Sequence, residues 1–382
     1  MGTDKKTNPV KRVLVTGSRG FIGSNLLLAL SERSDLIVFG YDLGDPDHAL
    51  TEALAQSDVV IHLAGVNRPT DPSEFDSGNR GFTQELCERL KELGKSIKVV
   101  MTSSIQAALD NPYGTSKHEA ELVLAAYAED AAAEAVILRL PNVFGKWSRP
   151  NYNSVVATFC HNAWRGMTLP VNDPSAELRL VHVDDVVDRL IIEIDASLQL
   201  PGARYEDNLR TFATTVGELA ETIASFEDVR NSGTLPDLSA PLVERLYSTY
   251  LSYADPRDLA YPLQQRQDER GALAEFVKSA HSGQIFVSRT RPGVTRGNHY
   301  HHLKVEKFMV VEGRAQVSLR RMKDDQVTTF DIEGSEMRVV DIPPGSTHSI
   351  LNTGDTEVVV LFWASQVFDQ ERPDTYFAEV HH

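Results

Sequence analysis

The chain contains 382 residues, which is enough for two domains that each bury a core. Its formal net charge is −16, from 54 acidic and 38 basic side chains. This balance excludes nucleic acid and anionic membranes as main partners, although one or two local cations suffice for a small anionic substrate. Two cysteines without paired spacing, a polar N-terminus and the lack of a long apolar run predict a cytoplasmic protein without membrane insertion.

The first informative pattern is a strand, a glycine-rich turn and a helix near the start of the chain. KRVLVT (11–16) predicts a short buried strand, and NLLLALS (25–31) has the apolar spacing of a helix. Glycines in this setting let the backbone approach a pyrophosphate at the helix N-terminus, whereas the alternative is a turn with a structural role only. The residues predicted to bind a dinucleotide here are Gly17, Arg19, Gly20, Phe21, Ile22 and Gly23.

The next two predicted strands bear on the choice of cofactor. LIVFGY (36–41) ends at Asp42, an acid of the kind that accepts hydrogen bonds from the adenine-ribose hydroxyls of NAD. Arg19 could instead meet the 2′-phosphate of NADP, so the cofactor is left as NAD(H) or NADP(H). DVVIHLAG (58–65) predicts a third buried strand whose end is expected to lie against the nicotinamide half of the cofactor. The residues predicted to contact it there are Leu63, Ala64 and Gly65.

A possible proton-transfer set follows the fourth predicted strand, which ends near Ser103 and Ser104. Tyr113 and Lys117 are four residues apart at the start of a predicted helix and therefore share one face. A lysine ammonium there lowers the pKa of the phenol, and a serine hydroxyl opposite holds a substrate carbonyl while the tyrosine donates a proton. The alternative is an amphipathic helix start after Pro112 without a catalytic role.

The last third of the chain has a different pattern of apolar and polar residues. From Gln284 onward, short runs of alternating apolar and polar residues predict an antiparallel barrel or sandwich. Histidines and a carboxylate are concentrated between residues 293 and 313, and a further histidine follows a Pro-Gly turn. Such a group provides ligands for a divalent metal or acid–base groups, whereas the alternative is a solvated loop rich in histidine. These residues are His299, His301, His302, Glu306 and His348.

The motifs TGSRGFIG, HLAG, SS, YGTSK, RLPNVFG and VHVDDVV resemble, in this order, those of the extended short-chain dehydrogenase/reductase family. The resemblance implies a Rossmann-like doubly wound parallel sheet, with Ser104 orienting a carbonyl, Tyr113 as the catalytic acid and Lys117 as its activator; the last two also contact the cofactor. Ile105 and Gln106 stand where the dehydratases of this family carry an acid, so dehydration is not expected. The implied substrate contacts are Asn142, Lys146, Arg179 and residues 151–154.

The histidine-rich region resembles the cupin family, an all-β jelly-roll barrel. Its spacing reproduces the first cupin motif and most of the second, with Met337 in place of the leading glycine of the latter. The resemblance implies one divalent metal; spacing does not choose among zinc, manganese, iron and nickel, and zinc is taken as the first candidate. Some cupins use a histidine as base without metal, and His302 and Tyr300 are the base candidates here. The implied metal ligands are His299, His301, Glu306 and His348.

A reductase-like part followed by a cupin resembles a family of bacterial enzymes of capsular polysaccharide and O-antigen synthesis. The change in residue pattern near Tyr253 predicts domains at 1–252 and 253–382. The resemblance implies a homodimer and a UDP-linked 4-keto-6-deoxy-N-acetylhexosamine as substrate. The cupin would epimerise C3 and the reductase would reduce the C4 ketone, with NADPH as the cofactor usual in the family and Asp42 as the feature that favours NADH. The alternatives are an NAD-dependent nucleotide-sugar 4-epimerase with a cupin used for dimerisation, and a non-catalytic sugar-nucleotide sensor.

Overall fold

The computed structural model describes residues 10–69, 71, 73–197, 200–263, 265–268, 271–274, 277, 283–366 and 369–381. The chain divides into two compact units, which are described separately. The first unit contains Met1–Val143 and Arg179–Phe212, and the second contains Phe144–Leu178 and Ala213–His382. The predicted domain division between residues 252 and 253 is not tested by this grouping and stays a prediction.

The secondary structure of the first two hundred residues alternates strands and helices. The strands up to residue 215 are β1 (Lys11–Thr16), β2 (Leu36–Tyr41), β3 (Val59–His62), β4 (Lys98–Ser104), β5 (Glu134–Leu140), β6 (Asn142–Phe144), β7 (Glu177–His182), β8 (Gly202–Glu206) and β9 (Thr211–Thr215). The α-helices of the chain are α1 (Phe21–Ser31), α2 (Asp47–Gln56), α3 (Ser73–Phe75), α4 (Phe82–Glu92), α5 (Pro112–Asp130), α6 (Val155–Trp164), α7 (Val183–Asp195), α8 (Val216–Ser225), α9 (Val229–Ser232) and α10 (Pro241–Ser252). None of the helices in the described parts of the chain is long and apolar enough to cross a membrane.

The first unit is built on a six-stranded parallel sheet in the order β2–β1–β3–β4–β5–β8. Its inner strands β3, β4 and β5 are buried on both faces, as their apolar runs in an α/β sheet require. Along β1, Leu14 packs into the core on one face, while Val13 and Val15 pack into the core on the other. The predicted Rossmann-like parallel sheet is therefore confirmed.

The topology of this sheet determines where a ligand is expected. The strand order reverses between β1 and β3, and in open α/β sheets the crevice beyond the strand ends at such a point is where ligands bind. The glycine-rich turn directly follows β1. Residues 63–65 directly follow β3, which ends at His62, earlier than the predicted strand. The chain therefore brings both predicted cofactor segments to the same edge of the sheet.

The second unit contains the antiparallel part of the chain. Its further strands are β10 (Ala260–Pro262), β11 (Gln265–Asp268), β12 (Gly271–Ala274), β13 (Gln284–Thr290), β14 (Thr295–Tyr300), β15 (Glu306–Glu312), β16 (Arg314–Arg321), β17 (Val327–Glu333), β18 (Arg338–Ile342), β19 (Ser346–Asn352), β20 (Val358–Ala364) and β21 (Tyr376–Phe377). Two five-stranded sheets run in the orders β10–β18–β15–β20–β13 and β17–β16–β19–β14–β21, and β11 pairs with β12. The predicted antiparallel β architecture is confirmed.

One apolar core joins the two antiparallel sheets. Phe308, Val340 and Phe362 from the first sheet pack in the same cluster as Val317 and Ile350 from the second. The strands supply this core by alternation, since on β17 the side chains at 330 and 332 are buried while those at 329, 331 and 333 are exposed. The period-two pattern of the sequence is therefore the cause of the two-layer arrangement.

Met337, the residue that departs from the second cupin motif, has an unusual backbone conformation. Met337, which stands in place of a glycine, has a φ of 47°, in the left-handed region that favours glycine. It closes the short 3₁₀ turn Gly334–Glu336 before β18. The chain therefore keeps the backbone turn of the motif despite the missing glycine, at a cost in strain of the order of 1 kcal/mol.

Candidate functional site

Ser104, Tyr113 and Lys117, here called the serine–tyrosine–lysine set, lie at the end of β4 and in the first turns of α5. Helix α5 begins at Pro112, and Asn111 caps it by accepting a hydrogen bond from the backbone N–H of Gly114 at 2.8 Å. This cap fixes the helix start so that Tyr113 and Lys117 project from one face. The lowered pKa predicted for the phenol of Tyr113 is not found: burial raises it, and the hydroxyl of Ser104, which interacts with the phenol, opposes part of this rise.

The choice between the two adjacent serines is resolved by their partners. The hydroxyl of Ser103 donates a hydrogen bond to Oε1 of Glu121 at 2.5 Å, and Ser103 therefore points towards a buried carboxylate. Ser104 instead interacts with the phenol of Tyr113. Because successive strand residues point to opposite faces, only one of the two can meet the tyrosine. The geometry agrees with the choice of Ser104, whose catalytic role stays a prediction.

Lys117 is a buried cation. Its Nζ donates a hydrogen bond to the carbonyl oxygen of Thr102 at 3.0 Å, and the residue is only 7% exposed. Burial lowers the pKa of Lys117 to about 8, while the carboxylate of Glu121 acts in the opposite direction. Gly65 lies beside this lysine, where a Cβ would be in ordinary contact with Nζ of Lys117 at 3.5 Å but would clash with Oδ1 of Asn79 at 2.8 Å.

Glu121 was not singled out from the sequence, yet it organises the residues behind this set. It is fully buried and accepts hydrogen bonds from Ser103, from Arg139 at 2.9 Å and from Tyr205 at 3.3 Å. The adjacent Arg139 helps hold the pKa of Glu121 below its usual range although burial acts to raise it. The sequence contained one sign of this role, since Glu121 lies four residues after Lys117 and therefore on the same helix face.

The glycine-rich turn packs closely against the end of β3. Gly17 has a φ of +68°, and a Cβ at this position would lie 2.7 Å from the backbone nitrogen of Ala64. A Cβ at Gly23 would lie 2.1 Å from the carbonyl oxygen of Gly17. Helix α1 begins at Phe21 without a side-chain cap on its first turn, so its N–H groups point towards the place predicted for a pyrophosphate.

Asp42 and Arg19 meet at the edge of this turn. The carboxylate of Asp42 accepts hydrogen bonds from the backbone N–H groups of Arg19, at 2.6 Å, and of Leu43, at 2.8 Å. The guanidinium of Arg19 is bound by Asp45 at 2.8 Å and by the carbonyl oxygen of Leu43. The structure thus ties Asp42 to the turn and holds the Arg19 side chain on a partly buried acid. The choice between NAD(H) and NADP(H) stays open.

The predicted substrate contacts are distributed over both units. Asn142 is exposed at the start of β6, and Nε of Arg179 donates to the hydroxyl of Thr211 at 3.3 Å. Lys146 belongs to the second unit and is 2% exposed, with its ammonium 5.7 Å from the ring centroid of Trp147. The substrate roles of all three stay predictions, and burial makes direct contact hardest for Lys146.

Four of the predicted metal-binding residues come together in the second unit and are here called the histidine cluster. His299 lies on β14, His301 follows it, Glu306 opens β15 and His348 lies on β19. One ligand atom from each residue lies within 4.8 Å of those of the other three. His299 and His348 are direct cross-strand partners, with ring centroids 4.5 Å apart.

A β-bulge sets the direction of His299. The register of β14 shifts between Gly297 and His299, and Gly297 and Asn298 both have positive φ angles, of 99° and 55°. A Cβ at Gly297 would lie 2.7 Å from the carbonyl oxygen of His348, so the strands approach closely only because this residue is glycine. The bulge therefore turns His299 towards the same interior as His348.

The electrostatics of the histidine cluster fit a divalent cation. Nε2 of His301 and Nε2 of His348 each lie 3.3 Å from Oε2 of Glu306, but neither atom makes a hydrogen bond with the described residues. Burial acts to raise the pKa of Glu306, yet the two neighbouring histidines hold it well below its usual range. Burial lowers the pKa of His299 to about 4, which keeps this ring neutral and able to ligate.

A loop near the C-terminus orients the ligands and could not be found from the motif. Nδ1 of His301 lies 2.5 Å from the carbonyl oxygen of Asp374, which directs its Nε2 into the cluster. The carboxylate of Asp374 accepts hydrogen bonds from the backbone N–H groups of His302, Leu303 and Lys304. Asp374 therefore helps to hold His301 in place although the two residues are 73 positions apart in the sequence.

The two base candidates, at the end of β14 and just after it, group apart from the histidine cluster. Tyr300 and His302 alternate with His299 and His301, and their rings contact each other at 5.6 Å between centroids. Both also contact the ring of Tyr376, at 5.6 and 4.9 Å. The structure therefore groups these residues with Tyr376 rather than with the ligand set, and the base role stays a prediction.

Comparisons with known proteins agree with this two-part organisation. Residues 13–201 match the NAD dependent epimerase/dehydratase family, and residues 266–376 match the polysaccharide biosynthesis C-terminal domain. The structure of Bordetella bronchiseptica WbmF in complex with NAD+ is 24% identical, with a TM-score of 0.50, and covers 57% of this chain and 79% of its own; it supports the fold alone. The chain is thus an NAD-dependent epimerase/dehydratase-type protein with a polysaccharide-biosynthesis C-terminal part.

Two relatives extend over nearly the full length. The UDP-2-acetamido-2,6-beta-L-arabino-hexul-4-ose reductase of Pseudomonas aeruginosa is 43% identical over 369 residues, which are 97% of this chain and 99% of the relative. The crystal structure of the capsular polysaccharide assembling protein CapF from Staphylococcus aureus is 40% identical, with a TM-score of 0.64, and covers 96% of this chain and 99% of its own. The chain belongs to the family of these two proteins, as its motifs predicted.

Proposed function

We propose that this chain is a bifunctional sugar-nucleotide enzyme that acts on UDP-2-acetamido-2,6-dideoxy-L-arabino-hex-4-ulose. The C-terminal part epimerises C3, and the N-terminal part then reduces the C4 ketone with NAD(P)H to give UDP-2-acetamido-2,6-dideoxy-L-talose. The observation that carries the proposal is a full-length relationship to a 4-ulose reductase in a chain that has two separate buried sets of reactive side chains. The product would serve the synthesis of UDP-N-acetyl-L-fucosamine for capsule or O-antigen.

The reduction is assigned to the serine–tyrosine–lysine set. A hydride passes from the reduced nicotinamide to C4, and the phenol of Tyr113 donates its proton to the ketone oxygen, which the hydroxyl of Ser104 holds in place. The raised pKa of Tyr113 keeps the phenol protonated, and the ammonium of Lys117 stabilises the tyrosinate that forms. The glycine turn and Asp42 would hold the dinucleotide.

The epimerisation is assigned to the C-terminal sheets, which we propose form a cupin barrel. The C4 ketone acidifies the proton on C3, so a modest base removes it and the carbon is reprotonated on its other face. His302 and Tyr300 remain the proposed bases. Reduction then removes the ketone, and the hydride transfer draws the reversible epimerisation forward.

A divalent cation, zinc as the first candidate, is proposed for the histidine cluster. Three histidines and one carboxylate are a donor set that zinc, manganese, iron and nickel all accept, and His301 and His348 have buried nitrogens that need a partner. When bound, such a cation supplies Lewis-acid stabilisation of negative charge on a substrate oxygen. Glu306 would contribute the anionic ligand, and Asp374 would hold His301 in its ligating orientation.

A homodimer is proposed through strand β13, which lies at the edge of its sheet. The side chains of Ile285 and Val287 on this strand are 55% and 58% exposed, and Phe286 stacks on Phe362 at 4.7 Å between ring centroids. An edge strand with exposed apolar residues is a surface on which a second chain pairs. Light scattering of Ile285→Glu should show a shift towards monomer if this surface is used.

The reaction is tested by proton NMR of the product formed in D₂O from the 4-keto substrate and excess NADPH. Deuterium at C3 with inverted configuration, together with a reduced C4, is the expected result. Reduction without exchange at C3 would contradict the epimerase assignment. Interconversion at C4 without net oxidation of the cofactor would instead favour the 4-epimerase alternative, and NADH is the second cofactor to be tried because of Asp42.

A further inference from the structure

His62, the last residue of β3, is a buried histidine to which the proposed reaction gives no role. The residue is 2% exposed, and both of its ring nitrogens have hydrogen-bond partners. Nδ1 lies 2.7 Å from the hydroxyl of Thr16, the last residue of β1, and Nε2 lies 3.0 Å from the hydroxyl of Thr83 on helix α4. The imidazole therefore joins the strand that enters the glycine-rich turn to a helix that packs on the sheet.

The position of the imidazole proton follows from these partners. A threonine hydroxyl has a single proton, and that of Thr83 is donated to the carbonyl oxygen of Asn79 at 2.7 Å. Towards His62 this hydroxyl can only accept, so Nε2 of the ring bears the proton. Nδ1 then accepts the proton of Thr16, whose oxygen in turn accepts from the backbone N–H of Ala64 at 3.5 Å. The hydrogen bonds thus run in one direction, from Ala64 to Asn79.

The surroundings of His62 keep its ring neutral. A second ring proton, on Nδ1, would compete with the proton that Thr16 donates to this atom. Burial and the nearby ammonium of Lys117 lower the pKa of His62 to about 3. The ring of Phe82 packs against the imidazole, with 5.5 Å between the ring centroids. His62 is therefore an uncharged link that adds no second positive charge near the lysine.

The segment 63–66, which follows β3, lies between the two ends of this chain of hydrogen bonds. Ala64 is one end, and at the other end the side chain of Asn79 accepts from the N–H of Val66 at 2.9 Å and donates to its carbonyl oxygen at 3.1 Å. The segment fits closely against the glycine-rich turn, since a Cβ at Gly17 would lie 2.7 Å from the backbone nitrogen of Ala64. A shift of either part would therefore change the space for the dinucleotide, which both are predicted to contact.

We propose that His62 is a positioning residue for the dinucleotide, because it holds the end of β3 in place against the glycine-rich turn. It acts through the hydroxyls of Thr16 and Thr83, and a displacement of about 1 Å at such a site is enough to slow a reaction strongly. The inference rests on the proposed function only in taking NAD(P)H as the bound molecule. It does not depend on the chemistry at C3 or C4.

The first test is isothermal titration calorimetry of the full chain with NADPH and with NADH. Thr16→Val and Thr83→Val keep the shape of the side chain, remove one hydroxyl of the chain of hydrogen bonds and should each weaken dinucleotide binding about three- to tenfold. His62→Leu removes both links and should weaken it about tenfold or more. Because calorimetry needs no turnover, a wild type that binds neither dinucleotide would contradict the proposed function, whereas variants that bind as wild type would contradict only the present proposal.

Control variants separate positioning from stability. Ser57→Ala removes a buried hydroxyl that donates to the carbonyl oxygen of Ala53 at 2.6 Å, just before the opposite end of β3. It should lower the melting temperature about as much as Thr16→Val does and leave dinucleotide affinity unchanged. His62→Asn offers an acceptor towards the first threonine, and His62→Gln offers an amide N–H towards the second. Each should restore part of the affinity that is lost in His62→Leu.

The tautomer is tested by nitrogen NMR of the full chain labelled with ¹⁵N-histidine, with the signals of His62 identified by their loss in His62→Gln. One unprotonated nitrogen, Nδ1, and one protonated nitrogen, Nε2, are expected. This pattern should persist from about pH 5 to about pH 8, a range in which an unperturbed histidine changes its charge.

Two results would overturn the proposal. One is an unchanged dinucleotide affinity in Thr16→Val, Thr83→Val and His62→Leu together with a lowered melting temperature, which would assign His62 to stability alone. The other is a proton on Nδ1 of His62 at neutral pH, which would contradict the direction of the hydrogen bonds on which the proposal depends.

Discussion

The two reactive sets of this protein differ in how their buried polar groups are satisfied. In the first unit, Lys117 has a carbonyl partner and a compensating carboxylate in Glu121, which itself accepts several hydrogen bonds. In the histidine cluster, Nε2 of His301 and both ring nitrogens of His348 have no hydrogen bond from the described residues. The first set is complete as the chain folds, whereas the second leaves these buried nitrogens without a hydrogen bond among the described residues.

This difference indicates what each site requires. Buried polar atoms without partners cost about 1–3 kcal/mol each, and folded proteins keep them mainly where a ligand or ion repays that cost. A proton-transfer set needs a fixed hydrogen-bond network before the substrate arrives. Metal chemistry needs open lone pairs directed at one point, which is the arrangement of the three histidines and Glu306.

The largest effect is expected from Tyr113→Phe. Loss of the phenolic proton should reduce the rate of C4 reduction by about 10²–10⁴-fold, while C3 exchange in D₂O continues, because the two sets act separately. Cofactor oxidation and deuterium incorporation are measured on the same sample. Tyr127→Phe is the matched control, because that hydroxyl, also on α5, bonds to the backbone of Ile97 and should be dispensable for reduction. Equal loss of both activities in Tyr113→Phe would contradict the separation.

The second effect concerns the metal. His348→Ala removes one of the proposed ligands and should lower metal affinity by more than about 100-fold, with loss of C3 exchange and retention of NADPH binding. The measurement is elemental analysis of the purified protein after dialysis. His302→Ala is the control from the same histidine-rich segment and should keep its metal, since its ring contacts Tyr300 and Tyr376. Equal metal content in wild type and His348→Ala would show that the cluster is not the binding site.

The third effect is on the pH dependence of reduction. The pKa of Lys117 is lowered by burial to about 8, so the ammonium that stabilises the tyrosinate is lost above this pH. The rate of reduction at limiting substrate should therefore fall about tenfold per pH unit above pH 8. The buried ammonium of Lys117 also lowers the stability of the folded protein. This cost is fully present below pH 8 and is relieved as the pH rises towards the ordinary lysine pKa of 10.5.

Two variants test the origin of this alkaline decline. Lys117→Arg keeps its charge at all accessible pH values and should remove the decline near pH 8 in whatever activity remains. Glu121→Gln removes the carboxylate that raises the pKa of Lys117, so the decline should move to lower pH. A profile unchanged in Glu121→Gln would mean that this carboxylate has no influence on the lysine.

The smallest effect is expected beside the glycine-rich turn, where Arg19 meets Asp42 and Asp45. Asp45→Ala frees the Arg19 guanidinium from its carboxylate partner, which should let it meet a 2′-phosphate and lower KM for NADPH several-fold relative to that for NADH. Initial rates with both cofactors give the ratio. Asp35→Ala, which removes a carboxylate paired with Arg33 instead, is the control. An unchanged ratio would leave Asp42 as the residue that decides the preference.

Much of the first unit was predictable because its signals are local. The bounds of β1 and β2, the glycine turn and the pairing of Tyr113 with Lys117 depend on residues a few positions apart, whose spacing determines which side chains share a face. The proposed ligand set of the histidine cluster was also predictable, since His301 follows His299 by two residues just after β14 and the antiparallel pattern brings β19 beside β14. The end of β3 was predicted too late in the sequence, because the apolar run continues into the loop after His62.

The sequence by itself determined the fold class and the family, and it predicted the residues proposed to bear the chemistry, because periodicity and motif spacing are properties of neighbouring positions. Only the tertiary structure decided which serine faces Tyr113, which residues hold Glu121 behind Lys117, and how Asp374 orients His301. Glu121 accepts hydrogen bonds from residues 18 and 84 positions away, and Asp374 lies 73 positions from His301. Their contacts depend on how strands and helices pack, which no local pattern records.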